Sequence, residues 1–263
     1  MRFLLILMVF ASTVAFAQKK KKDKDKEPVT PTTQPQQAPA QQAQPQQQPQ
    51  QAQSADTIPS AGQILAEHFW RKYQMASRWN DSEVAKDALY DVIVEAPIDS
   101  LVYSLAYYYF EEEKYVSSLL ISQDLLARDP KNVNYLEMAG TSAQQLGVND
   151  KALQHFESLY LVNNNIRTLY QIAFLQYQLK RYAECSTSID ILLGKPEVMT
   201  EKAVFEDAKK QPKEYPLKVS VLNLKGLLAL DQNDKAGARK AFTDALALAP
   251  DFIPAKTNME KTK

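Results

Sequence analysis

The sequence predicts an all-α protein, a stack of helical hairpins that comes after a long N-terminal region without a core. Three observations lead to this prediction. Residues 219–250 show the apolar spacing of two amphipathic helices around a short polar turn. Apolar helices that end at prolines recur upstream, at Pro97 and Pro130, which lie 33 residues apart. Residues 28–60, by contrast, are rich in proline and glutamine and offer almost no apolar surface to bury.

The clearest hairpin is the last one. Gly226 on its first helix has no side chain, so the backbones of the two helices can approach closely where they cross. Asp234 is placed to cap the second helix, and Pro250 lies just beyond its end, where helices commonly stop. The apolar residues that recur at helical spacing are Val219, Leu222 and Ala229 on the first helix and Ala238, Phe242 and Ala245 on the second.

This hairpin resembles the tetratricopeptide repeat. The signature positions of that repeat are matched in register by Leu222, Gly226, Ala238, Phe242, Ala245 and Pro250. The resemblance covers residues 66–252 and implies a right-handed α-solenoid, in which each hairpin buries its apolar face against the next. Tetratricopeptide arrays are curved scaffolds that bind extended peptides along a concave wall. The resemblance therefore implies a non-enzymatic protein-interaction scaffold.

Five hairpin units are predicted, at residues 66–98, 99–132, 133–165, 166–199 and 219–252. An insertion at 200–218 separates the last two, and its prolines forbid a continuous helix through its second half. We expect Ala203-Val-Phe-Glu and Glu214-Tyr-Pro-Leu to pair there as a small β-hairpin. Residues 253–263 are expected to form a short capping helix. A capping box at Ser60 and Gln63 sets the start of the domain, which is predicted to span 60–263.

The first residues have the layout of a secretory signal peptide. A short basic end and an apolar run lead to Ala15-Phe16-Ala17, which predicts a signal at 1–17 and cleavage between Ala17 and Gln18. A permanent membrane anchor is the competing interpretation, although the apolar run is short for a bilayer. The lysines at 19–22 act against export of the chain beyond them. We expect an exported protein, in the periplasm of a Gram-negative bacterium, with secretion or envelope association as alternatives and no integral membrane segment in the mature chain.

Residues 18–59 are predicted to be a disordered linker, Lys-rich at first and then rich in glutamine and proline. The alternative role is that of a ligand for a proline-binding groove. The whole chain carries 31 basic and 31 acidic residues, while residues 28–263 carry 24 and 28. This mildly acidic balance, without a basic stripe, gives no reason to expect a nucleic-acid partner.

The sequence offers no constellation for catalysis, a metal or a cofactor. Its two histidines, His68 and His155, do not form a metal-binding pair and lie beside no nucleophile motif. The six glycines form no phosphate-binding loop. The single cysteine, Cys185, stands where the repeat prefers alanine and is interpreted as a buried packing residue, with a reactive or dimer-forming thiol as the alternative. We therefore expect no enzyme and no cofactor.

The expected binding surface is the inner wall formed by the first helix of each unit. Its aromatic residues suit an extended peptide or protein segment, because such side chains dominate interface energies. Alternatively, the aromatic residues pack adjacent first helices together, or they bind carbohydrate or peptidoglycan. Counted from the signature positions, the wall contains Trp70, Arg71, Gln74, Tyr103, Tyr107, Phe110, Glu137, Thr141, Gln144, Arg167, Tyr170, Phe174, Tyr177, Asn223 and Leu227.

Overall fold

Eleven α-helices succeed one another in the computed structural model, which describes residues 59–263. The expected signal peptide, the cleavage site at Ala17 and Gln18, and nearly all of the expected linker lie outside the described residues. The helices are α1 (Ala61–Arg78), α2 (Ser82–Glu95), α3 (Asp99–Glu111), α4 (Tyr115–Arg128), α5 (Val133–Gln145), α6 (Asn149–Asn163), α7 (Ile166–Gln178), α8 (Tyr182–Gly194), α9 (Leu217–Asp231), α10 (Lys235–Leu248) and α11 (Ile253–Glu260).

The first ten helices pair in sequence as antiparallel neighbours, α1 with α2, α3 with α4, and so on to α9 with α10. Each hairpin packs on the next through α2 and α3, α4 and α5, α6 and α7, and α8 and α9. The short α11 lies against α10 and α9 at the end of the stack. The predicted all-α array of helical hairpins is therefore confirmed for residues 59–263.

All five hairpin turns are built in the same way. In each turn, the second residue after the first helix adopts a left-handed conformation, which reverses the chain. These residues are Asn80, Glu113, Gly147, Lys180 and Asn233, with φ between 57° and 72°. The next N–H then donates to a carbonyl five residues earlier, as from Asp81 to Ala76 (2.9 Å) or from Asp234 to Ala229 (2.9 Å). Turn geometry thus repeats where turn sequence does not.

Side-chain caps fix two of the helix starts that the sequence predicts. At α1, the N–H of Gln63 donates to Ser60 Oγ (3.2 Å) and the N–H of Ser60 donates to Gln63 Oε1 (2.8 Å), so the capping box is confirmed. At α10, Asp234 accepts from the N–H of Gly237 (2.8 Å), as expected of an N-cap.

Two clusters form the core of the array. One joins side chains of α4, α5, α6 and α7, and the other joins α7 through α11 with the insertion. At the centre of the last hairpin, Phe242 is fully buried against Gly226, and Ala238 is also fully buried. Cys185 is fully buried in the second cluster, and burial raises the pKa of its thiol to about 12, which confirms its interpretation as a packing residue.

The insertion between α8 and α9 contains a 3₁₀ helix (Pro196–Met199) and two strands, β1 (Lys202–Glu206) and β2 (Pro212–Pro216). The strands pair antiparallel, with Val204 opposite Glu214, so the small hairpin that the sequence predicts is confirmed. Along β1 the side chains alternate between exposed and buried positions, because successive residues point to opposite faces. One face of the hairpin therefore contributes to the core.

Candidate functional site

The first helices of successive hairpins form the wall on which a binding surface is expected. Helix α3 contacts α5, and α7 contacts α9, so their exposed faces adjoin along the stack. The second helices lie behind this wall, where each packs on its own partner and on the next hairpin. Side chains that point away from the second helices are thus brought into one row.

The described part of this wall contains a pocket lined almost wholly by tyrosine. Tyr73 of α1 and Tyr103, Ser104, Tyr107 and Tyr108 of α3 surround about 320 Å³. We call it the tyrosine pocket. The residue most open to solvent is Tyr107, at 51%. Four phenol rings at one site provide both apolar faces and hydroxyl groups that donate or accept hydrogen bonds.

Aromatic contacts extend the tyrosine pocket in both directions along the wall. The indole of Trp70 stacks on the ring of Tyr73, with centroids 4.9 Å apart and planes inclined by 23°. On the other side, Tyr103 contacts Tyr135 of α5 at a centroid distance of 5.5 Å. Aromatic contacts therefore link three consecutive first helices, α1, α3 and α5, although Tyr135 itself is buried.

Burial perturbs three phenols of the tyrosine pocket. Burial raises the pKa values of Tyr73, Tyr103 and Tyr107, with Glu137 adding to the effect at Tyr103 and Glu111 at Tyr107. Desolvation by neighbouring residues also raises the pKa of the Glu137 carboxyl, although that residue remains exposed. The pocket thus offers neutral hydroxyl groups beside carboxylates.

Several other predicted wall residues lie on α1, α3 and α5. Arg71 pairs with Glu67 one turn earlier on α1, and both side chains are well exposed. Gln74 is exposed on the same helix, and Phe110 is half-buried against Tyr115, with centroids 5.3 Å apart. Thr141, beyond Glu137 on α5, is half-buried and donates to the carbonyl of Glu137 (2.7 Å); Gln144 is also half-buried. All of these wall residues except Phe110 add polar groups to the same three helices.

The structure places the α7 residues differently from those of α3. Tyr170 is only 6% exposed and belongs to the core cluster that includes α9 and the insertion. Phe174 and Tyr177 are half-buried and pack against the same cluster. The guanidinium of Arg167 donates through Nε to Glu201 (2.7 Å), at the start of the insertion. Packing thus takes up most of this aromatic set.

The end of the wall is covered by the last helix. Asn223 of α9 accepts a hydrogen bond from Asn258 of α11 (3.1 Å), and both residues are at most partly exposed. Leu227 packs as a partly buried neighbour of the core cluster. The open part of the wall therefore lies on α1, α3 and α5, and the predicted residues on those helices are Trp70, Arg71, Gln74, Tyr103, Tyr107, Phe110, Glu137, Thr141 and Gln144.

Sequence reasoning missed three residues that line the tyrosine pocket, namely Tyr73, Ser104 and Tyr108. Tyr73 takes a signature position of the repeat, which implies burial, but it is only half-buried in the first hairpin. Tyr108 belongs to the run Tyr107-Tyr108-Tyr109, whose members point in three directions around the helix. The run of three tyrosines on α3 was the sequence signal that more of these side chains than Tyr103 and Tyr107 reach the wall.

Among residues 59–263, no group of three or more His, Cys, Asp or Glu side chains is arranged to hold a metal ion. In the same residues, no helix combines the length and the apolar character needed to cross a bilayer. His68 is exposed and His155 is half-buried, and they lie on α1 and α6.

Comparison with solved structures defines the repeat class. The chain is similar to YrrB, a TPR protein with an unusual peptide-binding site, with a TM-score of 0.59 and 13% identity over 76% of this chain and 98% of that chain. It is also similar to a MamA structure from Desulfovibrio magneticus RS-1 that starts at residue 41, with a TM-score of 0.55 and 14% identity over 71% of this chain and 96% of that chain. A third similar structure is MamA AMB-1, with a TM-score of 0.54 and 17% identity over 70% of this chain and 92% of that chain.

No protein-family model matches the chain, and no curated protein does. At 13–17% identity, the likeness to solved structures shows the fold alone. That fold is a stack of helical hairpins of the tetratricopeptide-repeat class. The predicted fold class is therefore confirmed.

Proposed function

We propose that this protein is a non-enzymatic scaffold that binds an extended segment of a partner protein along the open part of its wall. The observation that carries the proposal is the tyrosine pocket, with Tyr107 half-exposed at its surface. The segment would lie across α1, α3 and α5, with one apolar side chain in the pocket.

Tyrosine is well suited to this role for two physical reasons. A phenol ring buries a large area while only two side-chain torsions are restrained, so little conformational entropy is lost on binding. Its hydroxyl group also supplies a hydrogen bond to the partner's main chain, whose N–H and C=O groups would otherwise lose water without replacement. Burial raises the pKa values of Tyr73, Tyr103 and Tyr107, which further favours the neutral hydroxyl that can donate a hydrogen bond.

Charged residues at the two ends of the open wall would orient the bound segment. Arg71 on α1 pairs with Glu67 at the surface, where both side chains are well exposed, so its guanidinium can also form a bidentate pair with a carboxylate of the partner. Glu137 on α5 lies at the opposite end and favours a basic or N–H-donating group. A segment with an acidic residue near α1 and a basic residue near α5 is therefore the preferred partner.

The likeness to YrrB supports this proposal at the level of the fold, since that protein is described as having a peptide-binding site. At 13% identity the likeness does not extend to individual binding residues, so the choice of site depends on the tyrosine pocket of this chain.

A photo-crosslinking amino acid placed at position 107 tests the proposal. We expect it to capture a defined partner segment in cells, and the captured peptide is then synthesised and titrated against the purified protein. The matched control is the same crosslinker at position 161, because Leu161 of α6 is 86% exposed but lies on a second helix. Equal capture at both positions, or a synthetic peptide that does not bind, would overturn the proposal.

The carbohydrate alternative is decided by the same protein preparation. If the wild-type protein retains purified peptidoglycan or polysaccharide and the Tyr107→Ala variant does not, carbohydrate binding would replace peptide binding as the proposed function. We expect no such retention, because the residues that line the pocket include no carboxamide or charged side chain.

We further propose that the protein is exported, with removal of residues 1–17 between Ala17 and Gln18. The support is the sequence layout of a basic end, an apolar run and an Ala-x-Ala site. An intact-mass measurement of protein purified from the cell envelope should give a chain that begins at Gln18. A chain that keeps Met1 in that fraction would contradict the proposal and favour a membrane anchor.

A further inference from the structure

The outer edge of β1 is an open strand edge. In an antiparallel ladder, hydrogen-bonded residue pairs alternate with non-bonded pairs. The backbone bonds from Leu217 N–H to the Glu201 carbonyl (2.8 Å) and from Asp207 N–H to the Gln211 carbonyl (2.9 Å) lie just beyond the two ends of the ladder. They fix the alternation, so the N–H and C=O groups of the even-numbered residues of β1 point away from β2.

The two edges of the hairpin differ in what they offer. The outward groups of β1 belong to Lys202, Val204 and Glu206, and within residues 59–263 their main chains have no hydrogen-bond partner. All three residues are exposed, Val204 to 41%. On β2, Pro212 and Pro216 occupy two of the three outward positions, and proline has no N–H to donate. The β2 edge is thus blocked, whereas the β1 edge is open.

The side chains of the β1 edge are complementary to those of a second copy. When two such strands pair antiparallel about Val204, Lys202 of each copy faces Glu206 of the other, and the two Val204 residues face each other. Opposite charges directly across a pair of strands are favourable, and like charges are unfavourable. The outward N–H and C=O groups of β1 belong to the same three residues. In this register each of them therefore faces a main-chain partner on the other copy.

We propose that β1 pairs with β1 of a second copy of this chain, which makes a four-stranded antiparallel sheet across a twofold axis. The interface is isologous, since the same patch is used on both copies. The prolines of β2 end the sheet at four strands, so the association stops at a dimer and does not continue into a fibre.

The hairpin is anchored firmly enough to present this edge. The rings of Phe205 and Tyr215 pack edge-to-face on the fully buried Phe252, with centroid distances of 5.0 and 5.1 Å. The hydroxyl of Tyr215 donates to Asp251 (3.2 Å), which also pairs with Lys213. Because these contacts fix the buried face of the hairpin, little order has to be gained when the edge is paired.

A five-residue edge buries far less than the roughly 1,200–2,000 Å² of a standard interface, so we expect a weak, concentration-dependent dimer. Sedimentation velocity of the full folded chain over a range of concentrations should show exchange between monomer and dimer. A wild-type chain that stays monomeric at all concentrations would overturn the proposal.

Charge reversal gives the decisive test. Lys202→Glu places two pairs of carboxylates across the interface and Glu206→Lys places two pairs of ammonium groups, so each variant alone should lose at least tenfold in dimer affinity. Mixed one to one, the two variants present only opposite charges and should form a heterodimer. The control is Lys209→Glu in the exposed hairpin turn, which should dimerise like the wild type.

The variants should give the same circular dichroism spectrum and melting temperature as the wild type, because the reversed side chains are exposed. Val204→Pro is a second route: its ring would take the place of an outward N–H, so the hairpin is kept while the edge is blocked. Single variants that dimerise normally, or a mixture that remains monomeric, would overturn the proposal.

Discussion

The ring of Phe242 occupies the space in which a side chain on Gly226 would lie. A Cβ atom added to Gly226 would collide with three ring carbons of Phe242. The equivalent pair of the α5–α6 hairpin, Gly140 and Phe156, is looser, with 3.1 Å between such a Cβ and the ring. Glycine at 226 is therefore required by the approach of the two helices, and glycine at 140 less so.

Gly226→Ala should destabilise the last hairpin by about 1–3 kcal/mol, because overpacking outweighs the gain in helix propensity of about 1 kcal/mol. Gly140→Ala should have a clearly smaller effect, since Phe156 has to move by only a few tenths of an ångström. Urea unfolding monitored by circular dichroism measures both free energies. A Gly140 variant that loses more stability than the Gly226 variant would contradict this interpretation of the helix crossing.

Phe242→Ala should lower the free energy of unfolding by about 3–5 kcal/mol, since the ring is fully buried and its removal leaves a cavity. The control is Phe110→Ala, whose ring is half-buried against Tyr115, so a smaller loss is expected. Equal losses in the two variants, measured by the same urea titration, would show that Phe242 is not central to the hairpin.

His155 should make the protein less stable as the pH falls below about 6.5. Burial, with Lys151 second, lowers the pKa of His155 from its usual 6.5. The unfolded chain then binds the proton more readily than the folded chain. The contribution of neutral His155 to the free energy of unfolding is therefore complete above pH 6.5 and is lost as the pH falls toward the lower pKa of the folded state. The slope from one group does not exceed about 1.4 kcal/mol per pH unit.

Melting curves between about pH 7.5 and 5.5, where histidine titrates, should show this loss in the wild type. The loss should be reduced in His155→Gln and kept in His68→Gln, because His68 is exposed on α1. If His155→Gln shows the same pH dependence as the wild type, another group is responsible.

Tyr107→Ala should weaken binding of the crosslinked partner peptide by on the order of 2 kcal/mol, roughly thirtyfold, if the ring is an anchor of the interface. Leu161→Ala, a change at an exposed apolar residue of α6, should leave the affinity unchanged. Isothermal titration gives both affinities, and circular dichroism confirms that the helices are intact. Unchanged affinity in the Tyr107 variant would contradict the role of the tyrosine pocket.

Local pattern was enough to predict the hairpins. The spacing of Gly226, Ala238 and Phe242 encodes a helix crossing between neighbours in sequence, and Ser60, Gln63 and Asp234 encode helix starts through bonds to the next turn. Such signals depend on contacts close in the chain, so they can be recognised without a structure.

The wall was harder to predict because exposure depends on what packs against a helix face. Counting along α7 places Tyr170 on the wall, but the core cluster formed with α9 and the insertion leaves it 6% exposed. Conversely, Tyr73 of α1 is only half-buried and lines a pocket together with residues of α3. Both outcomes depend on which neighbouring elements cover a helix face, and repeat spacing does not describe that.

The uneven burial along the array also implies a gradient in local opening. Helix α1 buries one residue, Ala76, and α3 buries two, Leu105 and Ala106, whereas α9 buries eight. Stack proteins unfold from weak ends, so amide protons of α1 and α3 should exchange with solvent long before those of α9. The tyrosine pocket thus lies in the part of the array that we expect to open most easily. A peptide bound across α1 and α3 would stabilise both helices and should slow the hydrogen exchange of their amide protons.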